Sequence, residues 1–293
     1  MFVIIGIVVV IGSILGGYLM EKGQLGVLIQ PAELVIIGGA ALGTLFIGNP
    51  MHIIKGVFAG VLGTLKGSPY TKSFYLDVLK LMYELFIMAR KEGATKLEQE
   101  IEDPEKGEIL KKYPAFLKHH FAANYLCDTI RMALAGSVAP FDLEMLMEAD
   151  AEVHHHEESK PVAALTTIAD ALPGLGIVAA VLGVVITMGA LGGPPEEIGH
   201  KVAAALVGTF LGILLCYGFL GPLAANITKT NDEANDFHRV LRGGLTAYLK
   251  GMAPILSAES ARRLVPPHLR PSMKEMEETF KGGSATPAGK AAA

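Results

Sequence analysis

Four long stretches of this chain contain no charged side chain. None occurs from Met1 through Met20, from Leu34 through Ile54, from Ala171 through Pro195, or from Val202 through Thr228. Charged residues make up 18% of the chain and hydrophobic ones 51%, which excludes an ordinary soluble domain. Cysteine occurs twice, Cys127 in a polar segment and Cys216 in an apolar run, so no disulfide is expected between them. No cysteine or histidine spacing matches a standard zinc site. There is no nucleophile elbow and no phosphate-binding loop, so nothing argues for an enzyme. Lys and Arg are absent before Lys22, so the first run lacks the basic leader of a cleaved signal and is expected to stay and span.

What is present is a set of apolar runs long enough for membrane helices, since about 20 such residues cross roughly 30 Å of hydrocarbon. The fold class expected is all-α: a polytopic membrane protein with four transmembrane helices and a large helical cytoplasmic domain. The expected parts are a transmembrane hairpin at 1–54, a cytoplasmic helical domain at 55–169 and a second hairpin at 170–227. Cytoplasmic C-terminal helices at 228–281 and a disordered, small-residue tail at 282–293 complete the chain. The second hairpin reads as one span from Ala171 to about Gly193 and another from Val202 to about Ile227, joined by a Gly-Gly-Pro-Pro-Glu-Glu turn. The glycine pairs Gly12/Gly16, Gly39/Gly43 and Gly208/Gly212 have the small-xxx-small spacing that lets membrane helices approach closely.

Between the hairpins, Ser73 to Ala89 resembles a fifth span in hydrophobicity. Asp77, Lys80 and Glu84 nevertheless form one polar stripe along it, which predicts a buried amphipathic helix. Thr95 and Glu98 have capping-box spacing and predict a helix start there, with an end near Pro104. Further helix is expected over Lys112–Ala135, Phe141–Glu158 and Thr228–Ala261. Of the 25 Lys and Arg, all but Lys22 and Lys201 lie in the middle segment or after Ile227. The positive-inside rule then places both termini and the middle segment in the cytoplasm.

Ionisable groups within a membrane are costly and tend to be functional. Here the runs carry none at mid-depth: Glu33 and Asp170 fall at span ends, and His200 at the outer boundary. If the chain moves ions, a partner is expected to supply the ion-carrying group. Thr209 and Cys216 share a helix face, and the Thr209 hydroxyl either bonds back to its own helix or lines an aqueous path. Pro173 and Pro222 are expected at one membrane depth in an antiparallel hairpin, as a hinge or simply as prolines near span ends. His119-His120 and His154-His155-His156 have neighbours and spacing that argue against a metal site.

The runs Pro-Ala-Glu-Leu-Val-Ile-Ile-Gly-Gly-Ala at 31–40, Leu-Pro-Gly-Leu-Gly-Ile-Val-Ala-Ala-Val-Leu-Gly at 172–183 and Val-Gly-Thr-Phe-Leu-Gly-Ile-Leu-Leu-Cys-Tyr-Gly at 207–218 resemble the MotA family. These are flagellar-motor stator subunits within the wider MotA/TolQ/ExbB proton-channel group. The resemblance implies a homopentamer around a MotB dimer in the bacterial inner membrane. MotB would supply the ion-carrying aspartate, and ion flow would become torque on the rotor protein FliG. By position it implies that Arg90 and Glu98 face the rotor and that Pro173 and Pro222 serve the conformational cycle. It also implies that Thr209 and Ala180 line the ion path. An alanine at 180, where sodium-driven relatives carry a hydroxyl, points to H+ as the transported ion. No cofactor and no nucleic-acid partner are implied. Asp150 departs from the family pattern, in which a glutamate stands there. A TolQ/ExbB-like energiser of outer-membrane processes is the alternative, and two spans before Lys55 argue against it. A solute transporter would need broken helices or paired polar groups at mid-membrane, which the first two spans lack. Composition alone does not exclude a membrane scaffold.

Overall fold

The computed structural model describes residues 2–136, 138–189 and 191–282. The expected low-complexity tail lies, after Gly282, outside the described residues. Helix accounts for the regular structure of the described residues: α1 (Phe2–Met20), α2 (Leu25–Leu28), α3 (Pro31–Gly48), α4 (Met51–Thr64), α5 (Lys72–Glu92), α6 (Ala94–Glu102), α7 (Pro114–Leu117), α8 (His120–Leu134), α9 (Pro140–Met188), α10 (Pro195–Ile213), α11 (Gly221–Leu249), α12 (Pro254–Leu264) and α13 (Met273–Phe280). A π-helical segment, Leu214–Leu220, joins α10 to α11, and a 3₁₀ turn covers Leu110–Lys112. The helices divide into a membrane unit (residues to 67 and 156–231) and a polar unit (68–155 and 232 onward).

In the membrane unit four helical segments are long and apolar enough to cross a bilayer. α1 buries no residue, as expected of a helix that offers its whole circumference to lipid or to other chains. α3 buries Glu33, Ile37, Ala41 and Leu45, a single stripe at four-residue spacing, and packs on α10. α9 and α10 run antiparallel in close contact. A Cβ at Gly176 would lie 2.8 Å from the Gly208 carbonyl, one at Gly212 would lie 2.5 Å from the Leu172 carbonyl, and one at Gly183 would lie 2.6 Å from Ala205 Cβ. Gly208/Gly212 therefore acts as a packing pair, whereas Gly12, Gly16, Gly39 and Gly43 have open space around them within the chain.

This contact makes a direct prediction. A valine at 212 meets backbone atoms that cannot rotate away, namely the Leu172 carbonyl and Gly176 Cα. Overpacking of this kind costs about 1–3 kcal/mol. Gly212→Val is expected to lower the unfolding midpoint of the detergent-solubilised chain, and an unchanged midpoint would refute the contact.

The polar unit is built around α5. Its Phe74, Tyr75, Val78, Leu79, Met82, Leu85 and Phe86 are buried, while Asp77, Lys80 and Glu84 lie at the partly exposed edge. It is thus the amphipathic core helix expected, capped by Thr71, whose hydroxyl accepts from the Phe74 N–H. α6, α12 and α13 pack on it. Phe86 stacks on Tyr248 of α11 at 4.2 Å between ring centroids, and Tyr83 stacks on Phe280 of α13 at 4.3 Å.

Several local expectations are corrected. The Thr95/Glu98 capping box does not form: α6 begins at Ala94 with Gly93 as N-cap and no side-chain cap. Gly93, at φ 85°, ends α5 and starts α6 in a single residue, which leaves Thr95 and Glu98 inside the helix. A capping box instead joins Ser272 and Glu275 at the start of α13. The helix expected over Lys112–Ala135 is a 3₁₀ turn followed by α7 and α8, because Pro114 opens a new helix. The separate helix at Phe141–Glu158 and the third span are one helix, α9, with Pro161 and Pro173 inside it. Pro161 seats against Gly56 of α4, where a Cβ would come within 2.6 Å of the ring.

Candidate functional site

The residues singled out in the second hairpin converge at one level. Gly176 meets the backbone of Gly208 and Thr209, and Ala179 meets Gly208, where a Cβ would lie 3.1 Å from its own. Thr209 and Ala180, each the next residue along, therefore stand at the same depth and are both half-buried. Of the alternatives for the Thr209 hydroxyl, bonding back to its own helix is the one its neighbours adopt. Thr166, Thr167, Thr187, Thr228 and Thr230 all donate to the carbonyl four residues back. Among the described residues the Thr209 hydroxyl makes no such bond.

Glu33 requires a correction. Its place at the start of α3 suggests the membrane surface, yet its carboxylate packs against Gly208, where a Cβ would lie 2.5 Å from Oε2. Gly208 is seven residues beyond Lys201, so Glu33 sits roughly 10 Å inside the run that begins there. The reason is local. The polar turn between the first two spans contains α2, which packs on α10 together with α3 and draws the entry segment inward. No single-chain pattern reveals a turn folded into the membrane.

The prolines do not share one depth. Leu172 opposes Gly212, which places Pro173 near that level, while Pro222 lies ten residues farther along, about 15 Å away at helical rise. The feature missed from sequence is the π segment before Pro222. The Gly221 N–H donates to the Cys216 carbonyl, five residues back. Proline has no N–H and crowds the preceding turn, and the widened turn absorbs that mismatch. Beside it lies a cavity of about 340 Å³ lined by Gly6 and Val10 of α1 together with Tyr217, Pro222 and Asn226. Pro222 itself is exposed.

In the polar unit, Arg90 stands in the last turn of α5 and Glu98 on α6, both exposed and, among the described residues, without an ion-pair partner. Glu98 is released from the capping role that its spacing suggested. Apolar clefts open on two sides of Arg90, one of about 390 Å³ lined by Phe86, Leu97, Tyr248 and Met252 among others, and one containing Tyr83, Ile87 and Ile255. Glu100, which the sequence did not flag, is buried and accepts from the N–H groups of Glu108 (2.7 Å), Ile109 (2.7 Å) and Leu110 (2.8 Å). It anchors the loop that follows α6. His154 stacks on Phe121 at 3.6 Å and meets His238 edge-on at 5.3 Å, so this histidine of the tract belongs to an aromatic cluster. Cys127 and Cys216 are both free and buried. Burial pushes the Cys127 thiol up to about 12, which makes it unreactive.

A tight pair of membrane helices with an unengaged hydroxyl at its centre fits an ion-channel subunit, and the comparisons give the class. Residues 116–237 match the MotA/TolQ/ExbB proton channel family, and residues 4–93 match the family described as Motility protein A N-terminal. Motility protein A of Salmonella typhimurium is 40% identical over 278 residues, covering 95% of this chain and 94% of that protein. Chemotaxis protein LafT of Vibrio parahaemolyticus is 36% identical over 274 residues, covering 94% and 96%. In fold the chain is similar to the C. jejuni MotAB structure, with TM-score 0.73 and 18% identity over 90% of this chain and 95% of that one. It is likewise similar to the flagellar MotAB stator complex of Bacillus subtilis, with TM-score 0.71 and 23% identity over 90% and 96%. The chain belongs to the motility protein A family and is a multi-pass membrane protein.

Proposed function

We infer that the chain is the channel-forming subunit of a flagellar stator, and that it converts ion flow into torque together with a MotB partner. The observation that carries this reading is the α9–α10 hairpin. Glycine contacts hold its helices together and it presents the free Thr209 hydroxyl, in a chain that matches a motility protein A nearly end to end. Five copies surround a MotB dimer in the inner membrane, with both termini cytoplasmic, and MotB contributes the aspartate that carries the ion. The Lys and Arg distribution supports that orientation. The ion is H+, because Ala180 offers no side-chain oxygen to coordinate sodium. No resident cofactor and no enzymatic step are needed.

Arg90 and Glu98 bear on FliG. Their exposure, and the lack of an ion-pair partner among the described residues, support the assignment, since both charges are then open to a partner surface. Pro222 with its π segment, and Pro173 with its own lost backbone bond, are the points at which the hairpin bends during the cycle.

The test is rotation of a tethered cell or bead in a strain lacking this chain, during re-expression from an inducible promoter. Speed is expected to return in discrete upward steps as units join the motor. With Arg90→Glu the steps shrink, and a compensating charge reversal on the rotor restores their height. Rotation indifferent to the chain would overturn the stator role and favour a TolQ/ExbB-like one.

A further inference from the structure

The Glu33 carboxylate is an unusual group for the interior of an apolar unit. The residue is 6% exposed, and its Oε2 has no hydrogen-bond partner among the described residues. It fills the space that a side chain at Gly208 would take, with Oε2 2.5 Å and the carboxyl carbon 3.2 Å from the position of a Cβ there. Gly208 adjoins Thr209, and Ala179, which also touches Gly208, adjoins Ala180. A carboxyl group therefore stands at the depth of the two residues assigned to the ion path, against the glycine that precedes one of them. An isolated carboxylate in such surroundings is strongly disfavoured unless it is neutralised or paired. No Lys, Arg or His forms an ion pair with it among the described residues. A group retained only for packing has no use for a titratable head.

We propose that Glu33 is a proton-binding station in the outer half of the ion path, between the external face and the partner's ion-carrying carboxylate. The proposal rests on the ion-conducting role given above. The step balances simply. The Glu33 carboxylate accepts H+ from the outer side to become a neutral carboxylic acid. It then releases that proton inward to the partner's carboxylate and returns to its starting state. Gly208 serves the station by leaving room for it, and a methyl group there would push the carboxyl away from the Thr209 level.

The test uses the full chain with its MotB partner in a strain lacking its own stators. Bead rotation is measured near zero load and near stall, across external pH, with membrane levels of each variant checked. Near zero load the motor waits on ion transit, while near stall torque reflects coupling to the rotor. Glu33→Gln keeps the shape and removes the titration. It is expected to lower the zero-load speed by about tenfold, a modest part of what a positioned proton-transfer group contributes, and to flatten its dependence on external pH. Stall torque is expected to stay close to that of the unmodified chain. Glu33→Asp, which keeps a titratable group at shorter reach, falls between the two. Gly208→Ala reproduces the zero-load defect, and the double variant is no slower than Glu33→Gln, because both changes disable one step.

If Glu33→Gln matches the unmodified chain while Glu33→Ala fails, the residue only packs and the proposal is overturned. Multiplying defects in the double variant would overturn it as well. If the unmodified chain itself restores no rotation, the stator reading falls and the Glu33 proposal with it, an outcome separate from the other two.

Discussion

Replacing Glu100 by alanine is expected to unfold the polar unit at temperatures at which the unmodified chain is stable. The carboxylate accepts from three consecutive backbone N–H groups, of Glu108, Ile109 and Leu110, in a buried position. Truncation leaves those donors without their partner, and the Ile109 and Leu110 N–H groups are buried. Each orphaned donor costs about 1–3 kcal/mol, so the loss is roughly 3–5 kcal/mol once partial relaxation is allowed. That is a large share of the 5–15 kcal/mol typical of a whole domain. Gly107 is part of the device, because a Cβ there would run into the Glu100 carboxyl group. Glu100→Gln keeps one acceptor oxygen but presents an NH₂ group to the remaining donors, and is expected to lose an intermediate amount. Hydrogen exchange followed by mass spectrometry over residues 94–117 in the solubilised chain reads the effect directly. Unaltered protection there in Glu100→Ala would disprove the anchoring role.

The second large effect is acid destabilisation of the same unit. His238 is 4% exposed, and its imidazole lies against Phe121, Tyr125, His154 and Phe237. Burial, and then the neighbouring His154, His119 and His155, push its pKa down to about 3. Burial also lowers His154, against the opposing pull of Asp150, and it lowers His119. The sign follows from proton counting. Above the ordinary histidine value near 6.5, His238 is neutral in both folded and unfolded chains and pH has no effect through it. Between that value and about 3 the unfolded chain binds a proton that the folded one excludes. Stability therefore falls with falling pH, by about 1.4 kcal/mol per unit from His238 alone. His154 and His119 add to the slope in the same direction. His238→Phe preserves an aromatic shape and is expected to remove the largest part of this dependence. The measurement is the pH dependence of exchange protection in α8 and α11 from pH 7.5 to 5.5, corrected for intrinsic rates. An equal slope in the variant would show that the protons go elsewhere.

How much was legible beforehand varies with the range of the physics involved. The four spans and the buried character of α5 followed from local hydrophobicity and charge spacing, because burial in lipid or core acts on each helix face alone. Gly208 and Gly212 were legible as a packing motif, but so were Gly12/Gly16 and Gly39/Gly43, and only the opposing backbone of Leu172 and Gly176 selects the first pair. The capping box failed at Thr95 because Gly93, at positive φ, competes for the same helix start. The prolines were placed at one depth by counting from the hairpin turn, and the actual register, with Leu172 against Gly212, separates them.

The chain order of apolar and charged residues by itself determined a four-span, all-helical membrane protein and the absence of charge from its long runs. Those are sums of short-range preferences, each set by a residue and its neighbours along the chain. Only the tertiary structure decided that Glu33 packs against Gly208, that Glu100 holds a loop, and that three histidines gather round Phe121 and Phe237. Each depends on residues far apart in sequence brought within a few ångströms. At that range desolvation and unmet hydrogen bonds set the energy of a charged group, and no pattern along a single chain records them.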